Sequence, residues 1–443
     1  MQRRAACNAV LVSTHSFAHG TIGRPPDALH PGHGKRRAPG EEWLGGSYVP
    51  VDPQYYGFTR LEPQRPAEPD ARDVDVLEES LGPAKRLGLR VYARIAENAI
   101  NNAAIPKVMP GYIYALAIDH TGRRAGSPCL NNPDYKGWYL GTVEELVKRY
   151  PAIEGICIGM EGRGPLFFTM TQGQGGRCFC PLCRQMGRDR DLNAERARAG
   201  YAALAAFAQR AGDSRPRDGF FVEFLKILYR HPEVLGWEQL YYDAKSNFRR
   251  ELYGAIKAID RTKQVGWHLW HTITFDPFLR AGETFDEMPE YADWIKPAIY
   301  HNSGGLRTKG HVQSVSRTVW GDLSEQATYA LYTAALGYAD LPKWEDLPNG
   351  LPPAYIQTET RRVVEAVRNE IPVYPGIDVD VPVGRGLEEE YHRSEPEDVY
   401  AGVTAAFAGG AKGIVISRKY SEAHLENLDA VGAAVRALNT NSL

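Results

Sequence analysis

Hydrophobic positions along this chain fall into short, nearly continuous runs rich in β-branched residues. Each run is followed by a longer stretch with apolar residues at three- and four-residue spacing. This alternation predicts βα units around a parallel sheet, because a strand covered on both faces reads as unbroken apolarity while its crossover helix shows a single apolar stripe. Seven runs qualify: 8–14 (NAVLVST), 89–95 (LRVYARI), 154–160 (EGICIGM), 264–270 (QVGWHLW), 296–301 (KPAIYH), 372–378 (PVYPGID) and 413–418 (GIVISR). Helices are predicted over 74–87, 134–150, 194–210, 248–259, 355–369, 396–408 and 422–438. Residues 20–73 and 162–193, rich in Gly, Pro and Arg, read as long loop insertions after strand ends, and 111–119 as a hairpin above the sheet.

The expected fold is a (β/α)8 TIM-type barrel forming one domain over 1–443. Such a barrel closes with eight strands, one more than the pattern supplies. Met1 to Ala6 has the Arg- and Ala-rich texture of a helix end leading straight into a strand. The first strand and most of the first helix are therefore expected upstream of Met1, with a gap between strands two and eight.

Composition narrows the function. Hydrophobic residues at 43% and charged residues at 24% fit an ordinary globular protein. A net charge of -2, with no long basic run, provides no broad field for a phosphate backbone, so nucleic acid is not an expected partner. No stretch approaches the ~20 apolar residues that span a bilayer, and a membrane is not expected either. Three of the six cysteines crowd into positions 178 to 183, which favours a reducing compartment, with the cytoplasm as default. Oligomeric state is not legible.

Two passages carry a family resemblance. They are Cys129-Leu-Asn-Asn-Pro-Asp134 with the helix after it, and Glu154-Gly-Ile-Cys-Ile-Gly-Met-Glu161-Gly-Arg163-Gly-Pro165. In them the chain resembles glycosyl hydrolase families with α-amylase-like barrels, which carry an NP…helix…DGI passage into the fourth strand. The loop Cys178-Phe-Cys-Pro-Leu-Cys183 resembles a CFCPxC-type loop found in a subset of them. The resemblance implies that the seven runs are strands two to eight, with Glu161 closing strand four and Asp378 closing strand seven. In the larger clan of retaining glycosidases, strand four carries the acid/base and strand seven the nucleophile. This chain departs by offering an aspartate on strand seven and lacking the usual Asn-Glu pair. The implied activity is hydrolysis of a glycoside or oligosaccharide, with no cofactor for catalysis.

Glycoside cleavage needs one protonated and one ionised carboxyl, about 5 Å apart for retention or roughly 6.5 to 9.5 Å for inversion. Glu161 and Asp378 are the best pair, with Glu97 and Asp380 as substitutes. Further strand-end residues suited to binding a sugar are His15, Arg94, Arg163, His268, Trp270, Tyr300, His301 and Arg418. Alternate residues of a strand face opposite sides, so His268 and Trp270 share one side, and Trp267 and His271 the other. Plainer roles compete: Glu161 pairing with Arg94 or Arg163 as rim scaffolding, Asp378 or Asp380 capping a loop, and histidines satisfied in a core. Cys178, Cys180 and Cys183 are one thiolate short of a tetrahedral zinc site, and Cys129 completes the set. Structural zinc, reduced thiols and a disulfide all stay open. Two other functions compete with hydrolysis: a non-catalytic carbohydrate-binding barrel, and a metal-dependent hydrolase using His15, His268 or His301 with Asp378.

Overall fold

The computed structural model describes residues 2–21, 42–66, 69–96, 109–210, 214–269, 275–380, 394–417 and 423–440. Its strands are β1 (Ala9–Thr21), β2 (Glu42–Ser47), β3 (Arg90–Ala96), β4 (Leu116–Ile118), β5 (Arg124–Pro128), β6 (Gly155–Gly159), β7 (Gln264–Leu269), β8 (Trp294–Pro297), β9 (Gly376–Asp378) and β10 (Val415–Ser417). All seven predicted runs are strands, and they stand in parallel in the order β1-β3-β6-β7-β8. Bridges from Ile295 to Val373 and from Ala298 to Gly376 continue that order to β9, which pairs in parallel with β10.

The strand β8 begins two residues before its predicted run. Lys296 interrupts the apolar pattern and hides Trp294 and Ile295, which begin the strand. Within the predicted loop 20–73, β2 lies antiparallel against the free side of β1. Among the described residues no pairing joins β1 or β2 to β10. The predicted hairpin is β4 with β5.

The two parities of the parallel strands have different surroundings. Val91, Ala93, Ile95, Ile156, Ile158, Val265, Trp267, Leu269 and Ile295 belong to the main core. Helices Pro133–Arg149 and Glu233–Ile259 cover them with Trp138, Tyr139, Leu146, Phe248, Leu252 and Ile256. Tyr92, Cys157 and Trp294 lie on the opposite parity with Ala9, Leu11 and Tyr374. Tyr92 and Trp294 have ring centroids 5.5 Å apart, although β6 and β7 stand between their strands. Three strand spacings in a flat sheet span about 14 Å. The sheet is therefore strongly curled, with this parity on its concave side. Gly266 makes the curl possible: a Cβ there would lie 2.2 Å from the Trp294 indole, which crosses over it.

The predicted helix 248–259 is the last part of a 27-residue helix, Glu233–Ile259, whose first half spaces Val234, Trp237 and Leu240 between polar residues. The loop predicted over 162–193 contains helices Pro165–Gln172 and Pro181–Arg188, each begun by a proline whose missing N–H costs nothing in the first turn. Helix Gln2–Ala5 lies against the helix Leu425–Thr440, with Arg4 and Asp429 paired at 2.6 Å.

Candidate functional site

The register across the sheet sets Ala96, Gly159, His268 and Lys296 abreast, with Arg94 and Cys157 one layer below. Two residues beyond Gly159, Glu161 leaves β6 at its C-terminal end, the end where barrel enzymes keep their sites. One carboxylate oxygen of Glu161 contacts Nε2 of His268 directly. The Glu161 side chain keeps 27% exposure while His268 is buried. Burial acts to raise the Glu161 pKa, but His268, Arg94 and Lys296 outweigh it and hold the carboxyl at about 2. Burial and the Lys296 charge bring His268 down to about 4, so near neutrality the ring is uncharged and donates to an ionised Glu161. Arg94 itself donates to Ser13 Oγ at 3.3 Å.

A buried triad grips the backbone on either side of Glu161. Lys245 Nζ donates to the Gly162 carbonyl at 2.9 Å and to both oxygens of Glu283 at 2.9 and 2.8 Å. Arg249 pairs with Glu283 at 2.9 Å and reaches the Met160 carbonyl at 3.5 Å. All three side chains are at least nine-tenths buried. Two cations and one carboxylate satisfy one another there, and the spare donors are spent on the turn that carries Glu161. Burial brings Lys245 down to about 8 against the opposing pull of Glu283.

Asp378 lies elsewhere in the hydrogen-bond network. Its Oδ1 accepts from the backbone N–H of His301 at 3.0 Å and from His301 Nδ1 at 3.1 Å, and its Oδ2 from the Ser303 N–H at 2.7 Å. The carboxyl is fully buried. Burial opposes ionisation, yet the His301 ring and the Ser303 N–H hold the pKa well below the usual range. His301 Nε2 faces the Asp398 carbonyl at 3.1 Å, so both ring nitrogens lie against oxygen atoms. Asp380 is likewise fully buried, accepting from the N–H groups of Ser394 and His424 and from Asn427 Nδ2. The oxygens of both aspartates are thus engaged by donors of the surrounding loops.

The other predicted residues divide. His15 is buried between β1 and β2, with Thr14 Oγ1 3.0 Å from Nδ1 and Ser47 Oγ 3.2 Å from Nε2. Arg163 lies over the Phe167 ring at 4.5 Å, and Tyr300 stands 5.6 Å from Lys296 Nζ and 5.2 Å from the Arg307 guanidinium. Of the paired tryptophan expectations, Trp267 faces the helices and donates to the Tyr291 carbonyl at 2.7 Å. Glu97, Trp270 and Arg418 lie outside the described residues. Sequence reasoning missed Lys296 and the Lys245–Arg249–Glu283 triad. A lysine inside an apolar strand run was the available signal for the first. It also missed Glu238, whose carboxyl burial pushes up to about 7 and which accepts from the Leu166 N–H at 2.9 Å and Tyr201 Oη at 3.0 Å.

The cysteine expectation converges in space. The sulfurs of Cys129, Cys178, Cys180 and Cys183 all lie within 4.8 Å of one another, with Cys129 3.7 Å from Cys180 and 3.5 Å from Cys183. These separations exceed the roughly 2.05 Å of a disulfide and suit four ligands of one ion. Backbone N–H groups of Ile118 and Cys180 point at Cys178 Sγ at 3.3 and 3.4 Å, as donors to a thiolate would. The cluster can hold a metal such as zinc. Among the described residues it is the only group of three or more His, Cys, Asp or Glu side chains placed to share an ion. His15, His268 and His301 do not form one.

No protein-family model and no curated protein sequence matches the chain. Solved structures do. The β-galactosidase of the Antarctic haloarchaeon Halorubrum lacusprofundi superposes with a TM-score of 0.50 at 15% identity, over 84% of this chain and 52% of that one. The β-galactosidase of the psychrophilic Marinomonas ef1 gives 0.49 at 12% identity, over 85% and 54%. The chain spans about half the length of these two proteins. The first similarity shows the fold: an α/β chain with a parallel central sheet, of the kind found in TIM-barrel glycosidases.

Proposed function

We propose that this protein is a glycoside hydrolase that binds a glycoside or oligosaccharide on the concave face of its sheet, with Glu161 as the catalytic carboxylate. The observation that carries this reading is the environment of Glu161: a partly open carboxylate at a strand C-terminus, donated to by His268 and flanked by Arg94 and Lys296. A carboxyl held that low is anionic at any ordinary pH. It suits a nucleophile, base or oxocarbenium stabiliser better than a proton donor. The fold shared with TIM-barrel glycosidases adds support. In this reading Asp378 fixes the 301–303 turn at the rim, and the cysteine cluster holds a structural zinc that staples the loop after β6. Screening an aryl-glycoside panel with the wild type and Glu161→Gln tests it: turnover abolished by the substitution supports hydrolysis, and wild-type turnover in the variant removes Glu161 from the chemistry.

A second reading, a non-catalytic carbohydrate-binding barrel, is favoured by one observation. Asp378, the expected second carboxylate, has no exposed surface and its oxygens serve the 301–303 turn. Saturable sugar binding with no turnover of any panel member would select it.

A further inference from the structure

Resting on the glycoside reading of the same site, we propose that the substrate is an anionic sugar and that Lys296 receives the carboxylate of a uronic acid residue beside Glu161. Lys296 is 5% exposed, on the strand next to His268. Among the described residues it makes no hydrogen bond or ion pair, and its cation–π neighbour is the Tyr300 ring at 5.6 Å. A buried ammonium with no acceptor in contact is costly even with the Glu161 carboxylate nearby, a cost the fold tolerates where a ligand supplies the missing acceptor.

The surroundings of the ammonium describe the ligand. A Cβ at Gly376 would lie 2.8 Å from Lys296 Nζ and 2.8 Å from Ser417 Oγ. The Ser417 hydroxyl is buried with no hydrogen-bond partner. An ammonium and a hydroxyl, both unsatisfied, therefore flank one glycine, and a planar group with two acceptor oxygens can take a bond from each. Charge agrees. Among the described residues, Arg94 and Lys296 are two cations near one anion, Glu161, which already has His268 as its donor. Counted over the described residues, a neutral sugar leaves one positive charge uncompensated there, and a uronate carboxylate cancels it.

The test uses matched pairs of 4-nitrophenyl glycosides in both anomeric forms: galactoside with galacturonide, and glucoside with glucuronide. The expected kcat/KM for the uronide is at least about 100-fold above that for its neutral partner, since a site built around a charged group rejects a ligand lacking it. Lys296→Met should collapse that ratio to within about tenfold, and Lys296→Arg should keep most of it. A preference for the neutral member, or a Met variant that lowers both substrates by the same factor, overturns the proposal. If no glycoside is cleaved, the hydrolase reading fails, and calorimetry with D-galacturonate, D-glucuronate, galactose and galactose 6-phosphate then decides on the anion site alone. Uronate binding lost in Lys296→Met upholds it. No uronate binding by the wild type, or tighter binding of the sugar phosphate, overturns the carboxylate assignment.

Discussion

Lys245 Nζ donates at 2.9 Å to the carbonyl of Gly162, one residue beyond Glu161, while its other bonds go to Glu283. The Glu161 carboxylate is thus aimed by a neighbouring helix as much as by its own strand. Lys245→Met should lower kcat by roughly 10- to 100-fold with a smaller change in KM, since a misplacement of about 1 Å is worth that much in rate. Lys245→Arg, which keeps charge and donors, should recover part of it. Steady-state kinetics on both variants checks this; equal changes in kcat and KM, unrelieved by arginine, would reduce Lys245 to a packing residue.

Glu161 and Asp378, equivalent in the sequence pattern, should separate cleanly in the laboratory. Glu161→Gln keeps an acceptor for His268 at a partly open site, so unfolding free energy should change by less than about 1 kcal/mol while activity falls by 10²-fold or more. Asp378→Asn removes a fully buried carboxylate that faces the His301 ring and takes away one of the two oxygens that accept from the N–H groups of 301–303. That substitution should cost about 3–5 kcal/mol in stability. Denaturant titration alongside the glycoside assay gives both values. A stable Asp378→Asn protein without activity would return the aspartate to the catalytic pair.

The fold was largely legible because its strands announce themselves: near-continuous runs such as EGICIGM and QVGWHLW are what strands covered on both faces require. The cysteine cluster was legible too, because Cys129 and the 178–183 loop border the same strand. Lys296 was hidden by the feature that makes it interesting, a charge that breaks an apolar run and displaces the apparent start of β8. The hydrogen-bond partners of Asp378 and Asp380 were not legible, since whether a strand-end carboxylate faces a cavity or a turn depends on where residues 301–303 and 394 fold back, some 80 and 15 positions away. Lys245, Arg249 and Glu283 look like the solvated face of a helix and loop until the β6 turn is laid over them.

Stability should fall in mild acid through buried neutral histidine. Burial brings His15 from 6.5 down to about 3 in the folded state. The unfolded chain takes up that proton below 6.5 while the native state refuses it, so stability drops as pH falls from 6.5 toward 3, by up to about 1.4 kcal/mol per pH unit. His15→Gln should remove about one proton from the slope of unfolding free energy against pH between 4 and 6.5, at some loss of absolute stability. An unchanged slope would mean that His15 is protonated in the fold, with Thr14 and Ser47 both acting as acceptors.

The last prediction concerns the four cysteines. A tetrahedral zinc with bonds of about 2.3 Å places its sulfurs about 3.8 Å apart, close to the 3.5 and 3.7 Å between Cys129 and its neighbours. Four thiols at that spacing are held together productively only when a cation offsets the charge of their thiolates. Protein purified without chelator should therefore carry about one equivalent of zinc, and Cys183→Ser markedly less. Less than about a tenth of an equivalent would leave a cluster of reduced thiols. Trp237 gives a local readout, because its ring stacks on Phe179 at 4.9 Å and its Nε1 donates to the Cys178 carbonyl at 3.2 Å. Chelation should change its fluorescence before global unfolding. Trp237 and Lys245 sit on the same helix, Glu233–Ile259, one end against the metal loop and the middle against the turn bearing Glu161. Removing the metal should then lower kcat by a modest factor in step with the Trp237 signal, and restoring zinc should return both together; a fluorescence change with kcat untouched would show that the staple and the site are mechanically independent.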